Sequence, residues 1–449
     1  MSTREGSLDA PTRHPIDWRS PSYDDPASLE KELARVFDIC HGCRRCVNLC
    51  AAFPTLFDLV DSAASGELDT VSRADFAKVV DNCYLCDMCF MTKCPYVPPH
   101  AWNVDFPHLM LRAKAADFRR TGGRRRDRIL SSTDALGSLA GIPVVTQAAN
   151  AIQRSAPGRR VLEAALGVDR KAWRPALAAR KFRSSARPES TFPAVNGERT
   201  PGKVALFSTC YVNYNEPGIG HDLLKVLHHN RVPVVIVEKE ACCGMPKLEL
   251  GDLQGVARLK DINVPRLAPL ARQGYAIVSA VPSCTLMFKQ ELPLLFSGDD
   301  DVLTVAGAFW DPFEYLAARR RDGLLRTDFA RKLGRVSYHV PCHGRVQNIG
   351  RKTEEVLKSM PGTEVNTVER CSGHAGTWGV KKEFHATAMK IGGPVFRAMS
   401  EPNPDFISSD CQLAGHHIEQ GIGELAKDGT PAPKLAHPIT LVRMAYGLD

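Results

Sequence analysis

The sequence predicts a multidomain protein: an α-helical, cysteine-rich N-terminal domain followed by duplicated α/β modules with parallel sheets. Three observations predict it. Eight cysteines crowd into two short motifs within residues 31–118. From Lys203 onward, apolar runs alternate with amphipathic stretches, the texture of strand–helix–strand units. The pattern of that last part occurs twice, with cysteines at matching places.

Residues 1–30 read as a polar, Pro-containing arm, and the opening MSTREGSLDAPTRHPIDWRS lacks the apolar core of a signal peptide. The chain has 15 cysteines in 449 residues, an odd number in a long chain. Such thiols more often serve metals or redox chemistry than disulfides, so a cytoplasmic protein is expected. No run of about twenty apolar residues is present, so no transmembrane helix is expected. The nearest candidate, 129–152, contains Asp134, Pro143, Gln147 and Asn150.

Residues 31–118 carry CHGCRRCVNLC (Cys40, Cys43, Cys46, Cys50) and CYLCDMCFMTKCP (Cys83, Cys86, Cys89, Cys94, then Pro95). The first has the C-x₂-C-x₂-C-x₃-C spacing of a bacterial ferredoxin; the second is one residue longer before its fourth cysteine. Three thiolates from a short loop can wrap one face of an iron–sulfur cube. In two-cluster ferredoxins the fourth comes from the other motif. This assigns one [4Fe–4S] cluster to Cys40, Cys43, Cys46 and Cys94, and another to Cys83, Cys86, Cys89 and Cys50. Structural zinc is the competing reading, but zinc sites usually pair two C-x₂-C knuckles. The segment between the motifs, PTLFDLVDSAASGELDTVSRADFAKVVDN, has helical periodicity, which points to a helical ferredoxin-like domain.

Residues 119–202 read as a basic helical region and linker. Between Arg112 and Arg187 there are 18 Lys+Arg against 5 Asp+Glu, whereas the whole chain is only +8. Neither a nucleic-acid-binding motif nor interleaved aromatics accompany these charges, so no nucleic acid is expected. Basic residues among Leu, Ala, Trp and Phe suit an anionic membrane surface or an acidic protein, against the plainer reading of a solvated face.

The two modules are expected at 203–330 and 331–449. VALFSTC ends in Cys210, CCG follows at Cys242–Gly244, and YAIVSAVPSC ends in Cys284. In the second copy VSYHVPC ends in Cys342, CSG follows at Cys371–Gly373, and DFISSDC ends in Cys411. The matching cysteines are 132, 129 and 127 residues apart. Each lies just past a strand end, where open α/β sheets bind ligands. Buried core cysteines would not recur at the same point of every strand. His343, His374, His416 and His417 accompany module two and could complete a metal site, although a hydrogen-bonded structural role is favoured for each. No G-x-G-x-x-G fingerprint is present, so no flavin or NAD is expected on this chain.

Two ferredoxin motifs followed by two CCG modules resemble heterodisulfide reductase, the C subunit of anaerobic glycerol-3-phosphate dehydrogenase and the iron–sulfur subunit of glycolate oxidase. The resemblance covers about 31–118 and 203–449. It implies that Cys210, Cys242, Cys243, Cys284, Cys342, Cys371 and Cys411 are metal ligands. A full family module ends in C-x-x-C, but Met287 and Ala414 stand at those last positions here, and Ser372 replaces one cysteine of the pair. One further iron–sulfur cluster or metal, in module one or between the modules, fits this set better than two. The resemblance implies an electron-transfer subunit, an oxidoreductase component not complete alone. Its expected partner is a flavin dehydrogenase or a rubrerythrin-like protein, and its acceptor a quinone or a protein. Peripheral contact with the inner face of the membrane would accompany a quinone. The alternative is an enzyme reducing a disulfide at a CCG-bound cluster.

Overall fold

The computed structural model describes residues 11–92, 94–188, 191–426 and 433–449. Two compact units are present. The first comprises the chain up to Ser131 with two later segments, Pro246–Ala257 and Leu294–Ser297; the second comprises Ser132–Met245, Arg258–Pro293 and Gly298–Asp449.

The first unit is helical, as its periodicity predicts. Asp25 caps Pro26–Cys43 by accepting from Ser28 N, with proline at the first turn, where its missing N–H costs nothing. The helix stops at Arg44, which is left-handed at φ 52°. Ala52–Asp61 and Phe76–Asn82 occupy the segment between the cysteine motifs, and Phe106–Thr121 follows the second motif. Their apolar faces meet in an aromatic cluster. Phe37 lies 4.9 Å from Phe76, and Phe53 lies 4.7 Å from Phe106. The arm is tied down from within the same unit. Trp18 is 1% exposed, its indole donates to Leu295 O at 3.0 Å, and its ring meets Phe296 edge-on.

The second unit holds two four-stranded parallel sheets. β1 (Val204–Leu206), β2 (Val234–Ile236), β3 (Ala276–Val278) and β4 (Phe309–Trp310) run in the order β2-β1-β3-β4. β5 (Gly334–His339), β6 (Thr363–Val368), β7 (Phe406–Ser409) and β8 (Lys434–Leu435) repeat that order as β6-β5-β7-β8. Every pairing is parallel, beginning with Val204↔Val234 and Gly334↔Thr363. The repeat predicts three strands per module, and each module adds a fourth of two residues. One hydrophobic core joins the modules, with Leu206, Val278, Leu223 and Phe313 from the first and Tyr338, Val356 and Leu441 from the second.

The basic region forms short helices, among them Thr133–Gly137, Pro143–Arg154 and Ala156–Leu166. Phe182 then plugs into the module core at 0% exposure. Among the described residues, no helix is long and apolar enough to cross a membrane.

Candidate metal centres

The first helix delivers Cys40 and Cys43 on its last turn, and the left-handed Arg44 swings Cys46 back toward them. Cys94 arrives from the second motif. These four thiols line one cavity with Phe53, Pro95 and Tyr96. Burial pushes the Cys40 thiol well up, and Cys94, Cys46 and Cys43 add to that. The other four cysteines gather in the same crossed fashion. Burial, then Cys86 and Cys83, raise Cys50; burial, then Cys86, Cys83, Cys46 and Cys50, raise Cys89. Cys83 is pushed up to about 12, chiefly by burial, with Lys114 opposing.

Backbone N–H groups point at these sulfurs. Ala52 and Phe53 donate to Cys50, Leu85 to Cys83, and Tyr96 and Val97 to Cys94. Leu85 and Asp87 are left-handed at φ 52° and 60°, which turns successive N–H groups to one side of the Cys83–Cys89 loop. Arg13 pins that loop, bonding Asp87 at 2.7 Å and Asp105 at 3.1 Å.

In the second unit each thiol stands just past a strand. Cys210 opens the helix Cys210–Tyr214 after β1, behind Thr209, whose hydroxyl accepts from Val212 N. Cys242 and Cys243 occupy the turn after β2, 3% and 4% exposed. Gly244 there has φ 102°, a conformation L side chains rarely adopt. Asp134 accepts from Cys242 N at 2.6 Å, and Asn263 bonds both Ala241 N and Cys242 O. Cys284 follows β3 on Pro282–Leu286. The thiols form a string: Cys210 bonds Cys242, Cys242 bonds Cys243, and Cys243 bonds Cys284. Donation from Cys210 and Cys243 holds Cys242 down and its partners up. Met287, at the family's fifth position, is fully buried.

Cys342, Cys371 and Cys411 take the equivalent places after β5, β6 and β7. Gly373 N donates to Cys371 Sγ at 3.4 Å. Cys411 accepts from Leu413 and Ala414 N–H, and burial pushes it up to about 11, with Asp410 and Cys284 adding to the rise. Cys411 thus lies within electrostatic reach of the module-one string. Ser283 Oγ and His343 Nδ1, 2.8 Å apart, join the ends of β3 and β5.

His416 bonds Glu216 at 2.7 Å and Glu419 at 3.1 Å and stacks on Trp173, so it plays the structural role favoured for it. Asp134 and Asn263 were not singled out by the sequence, where each stands among other polar residues: Asp134 after Ser131-Ser132-Thr133, Asn263 after Lys260-Asp261.

The donor set is almost purely sulfur. Among the described residues, no three Cys, His, Asp or Glu groups converge to hold a single ion. A structural zinc needs four ligands on one point, whereas a four-iron cube takes its thiolates at separate corners. Two sets of four thiols, each drawn from both motifs, therefore fit iron–sulfur cubes.

Fold and site define a domain architecture: a Fer4-like domain followed by two cysteine-rich CCG domains. Residues 31–120 match the citrate utilization protein B Fer4-like domain, and residues 204–289 and 336–419 each match the cysteine-rich domain. Among individual proteins it is similar to the C subunit of the anaerobic glycerol-3-phosphate dehydrogenase of Escherichia coli, 29% identical over 353 residues, 76% of this chain and 82% of that protein. It is also similar to the B subunit of the fumarate reductase (CoM/CoB) of Methanothermobacter marburgensis, at 28% over 258 residues, 56% of this chain and about half (48%) of that protein. Lactate utilization protein A of Oceanobacillus iheyensis is 28% identical over 188 residues, 40% of this chain and 73% of that protein.

Proposed function

We propose that the protein is an electron-transfer subunit, linking a flavin dehydrogenase or other redox partner to a quinone or protein acceptor. The observation that carries this is the crossed gathering of eight thiols, each foursome drawn from both motifs. Cys40, Cys43, Cys46 and Cys94 would hold one [4Fe–4S] cluster, and Cys83, Cys86, Cys89 and Cys50 the other. Cys210, Cys242, Cys243 and Cys284 would hold a third metal group, with Cys411 as the nearest thiol of module two and Cys342 and Cys371 as further ligand candidates. Such groups supply one-electron couples whose potentials follow burial and hydrogen bonding to sulfur.

The chain's own contribution is to exclude water and aim N–H groups at sulfur. Hydrogen bonds to sulfur stabilise negative charge there, and burial opposes it; their balance sets where each centre sits on the potential scale. The alternative, disulfide reduction at the CCG turn, needs substrate access. Cys242 and Cys243, almost wholly buried, favour relay over direct reduction. The exposed face of the basic helices supports docking at a membrane from the cytoplasmic side.

The test is anaerobic reconstitution of the full chain with iron and sulfide. About eight irons should belong to the N-terminal thiols. Cys50→Ser should perturb the cluster of Cys83, Cys86 and Cys89. Cys243→Ser should remove the iron beyond those eight, whereas Ser372→Ala should leave it in place. Reduced protein should pass electrons to a partner and not to small disulfides. Stoichiometric zinc in place of iron would overturn the cluster reading. Rapid disulfide turnover lost in Cys243→Ser would replace relay with reductase.

A further inference from the structure

Just before Cys210, Thr209 stands at φ 67° and ψ 157°. That region is open to glycine and strained for a branched residue. Thr209 is 1% exposed, between β1 and the helix that Cys210 opens. Its surroundings must therefore hold it there.

The holding group is Glu240, a buried residue beyond the end of β2. Its carboxylate accepts from Ser208 N at 3.0 Å, from Ser208 Oγ, and from the N–H of Thr209. Arg183 fixes the same residue: its Nη1 donates to Glu240 O at 3.1 Å and lies 3.9 Å from the carboxylate. Hydrogen bonds to an ionised acceptor are the strong ones, and here they pin the peptide between Ser208 and Thr209. On the other side, Thr209 Oγ1 accepts from Val212 N at 3.2 Å. With both sides held, φ at Thr209 has no ordinary value to return to.

The clamp ties together two turns that carry thiols. Ser208 and Thr209 lead into Cys210 after β1, Glu240 leads into Cys242 after β2, and these strands are parallel neighbours. Cys210 and Cys242 are themselves the first link of the thiol string.

Module two lacks the device. At the matching offsets, Val340 and Pro341 stand for Ser208 and Thr209, and Glu369 for Glu240. Val340 has no hydroxyl, and Pro341, at φ −70°, has no N–H to give. Glu369 instead meets Arg351 at 2.5 Å and Arg345 at 3.6 Å. The clamp thus accompanies the module that keeps the adjacent cysteine pair.

We propose that Glu240 is a positioning residue: it pins the strained Ser208–Thr209 peptide and so fixes the approach of Cys210 to Cys242. Its role rests on the third metal group proposed above for these thiols. Released from Glu240, the peptide can turn over and Thr209 can relax to a negative φ. The turn before Cys210 then no longer has a single shape.

The test is a double-variant cycle on the full chain with Glu240→Gln, Thr209→Gly and the two combined. Glutamine offers one acceptor oxygen and turns an NH₂ toward the donors. Glycine takes φ 67° without strain. In the reduced, metal-free chain, the amides of Ser208 and Thr209 should exchange about tenfold faster in Glu240→Gln, the factor for losing one hydrogen bond to a charged group. Thr209→Gly should shift the thermal midpoint more favourably with Glu240 present than with glutamine in its place. After anaerobic loading with iron and sulfide, Glu240→Gln should yield the iron beyond the N-terminal clusters to a chelator about ten- to a hundredfold sooner, the usual cost of losing an outer support. The spin-resonance line shape of that centre should shift as well. Adding Thr209→Gly should restore much of both, a rescue that a merely space-filling Glu240 would not show. Unchanged exchange, additive midpoints or an absent rescue would overturn the proposal. If wild type holds iron only in its N-terminal clusters, the third metal group is rejected, and exchange and midpoints alone decide whether the clamp holds the turn. If Glu240→Gln does not fold, Ser208→Ala takes its place in the cycle, since it removes one donor and keeps the carboxylate.

Discussion

At the scale of single residues, pH should read out the contact between Glu216 and His416. Burial opposes charge on His416, but Glu216 and Glu419 outweigh it and raise the imidazole to about 9 from an ordinary 6.5. Burial also opposes charge on Glu216, but hydrogen bonds from His416 and Tyr211 outweigh it and hold that carboxyl below its ordinary 4.5. The raised histidine stabilises the fold fully below about pH 6.5, and that contribution is lost as pH rises through about 9. The lowered glutamate contributes above 4.5 and loses its share as pH falls through its depressed value. The gap in thermal midpoint between wild type and His416→Gln should therefore be widest near pH 5–6.5 and close toward pH 9. A gap independent of pH would refute the ion pair. The eight N-terminal thiols were legible in the sequence because chain spacing limits where they can go. Asp134 was not, since its bond to Cys242 spans 108 residues. Nor was the clamp of Glu240 on Ser208, which spans 32 residues.

At the scale of elements, the basic helices carry a feature that charge counting misses. Fourteen large apolar side chains are exposed among the described residues, and seven of them fall between Leu136 and Val161. Val144 is 77% exposed and Val161 63%. Helices Pro143–Arg154 and Ala156–Leu166 set these beside Arg154 and Arg160. Apolar side chains between arginines are what a headgroup layer takes up. Vesicles rich in anionic lipid should bind the protein, and neutral vesicles should not. Arg154→Gln or Arg160→Gln should each weaken binding about fivefold, the effect of ~1 kcal/mol per basic residue near a charged surface. Val144→Asp should weaken it further, and rising salt should abolish it. Binding indifferent to salt and lipid charge would mark this face as merely solvated. The sequence disclosed the helices and the charge here, but which apolar positions stay uncovered depends on packing. The short fourth strands, Phe309–Trp310 and Lys434–Leu435, escaped notice because two residues leave no periodicity to read.

At the scale of the whole molecule, the boundaries inferred from composition and the compact units differ in kind. Composition divides a chain into consecutive blocks. The helical unit instead recruits Pro246–Ala257 and Leu294–Ser297 from far downstream. These returns make real contacts within that unit: Ile16 N donates to Leu294 O at 2.8 Å, and a Cβ at Gly251 would meet the Lys114 backbone at 2.5 Å. A polypeptide ending at residue 131 leaves Trp18 uncovered. Truncating a buried tryptophan outright costs about 3–5 kcal/mol, an upper bound on what the lost contacts with Leu295 and Phe296 contribute. That fragment should exchange its amide hydrogens faster than the same residues in the full chain and should lose iron sooner. Equal protection in both would show that the returns add nothing.

Trp18 and its cover also set an order of events during synthesis. The ribosome makes the eight ferredoxin-motif thiols early, yet the segment that closes over Trp18 ends at residue 297. At ~5–20 residues per second, roughly ten to thirty seconds separate residue 131 from that closure. Through that interval the nascent helical unit is unfinished and its thiols stand closer to water. The opening helical unit thus matures only once residue 297 has been made, and a translation product interrupted before that point would lack the means to keep what it had been loaded with.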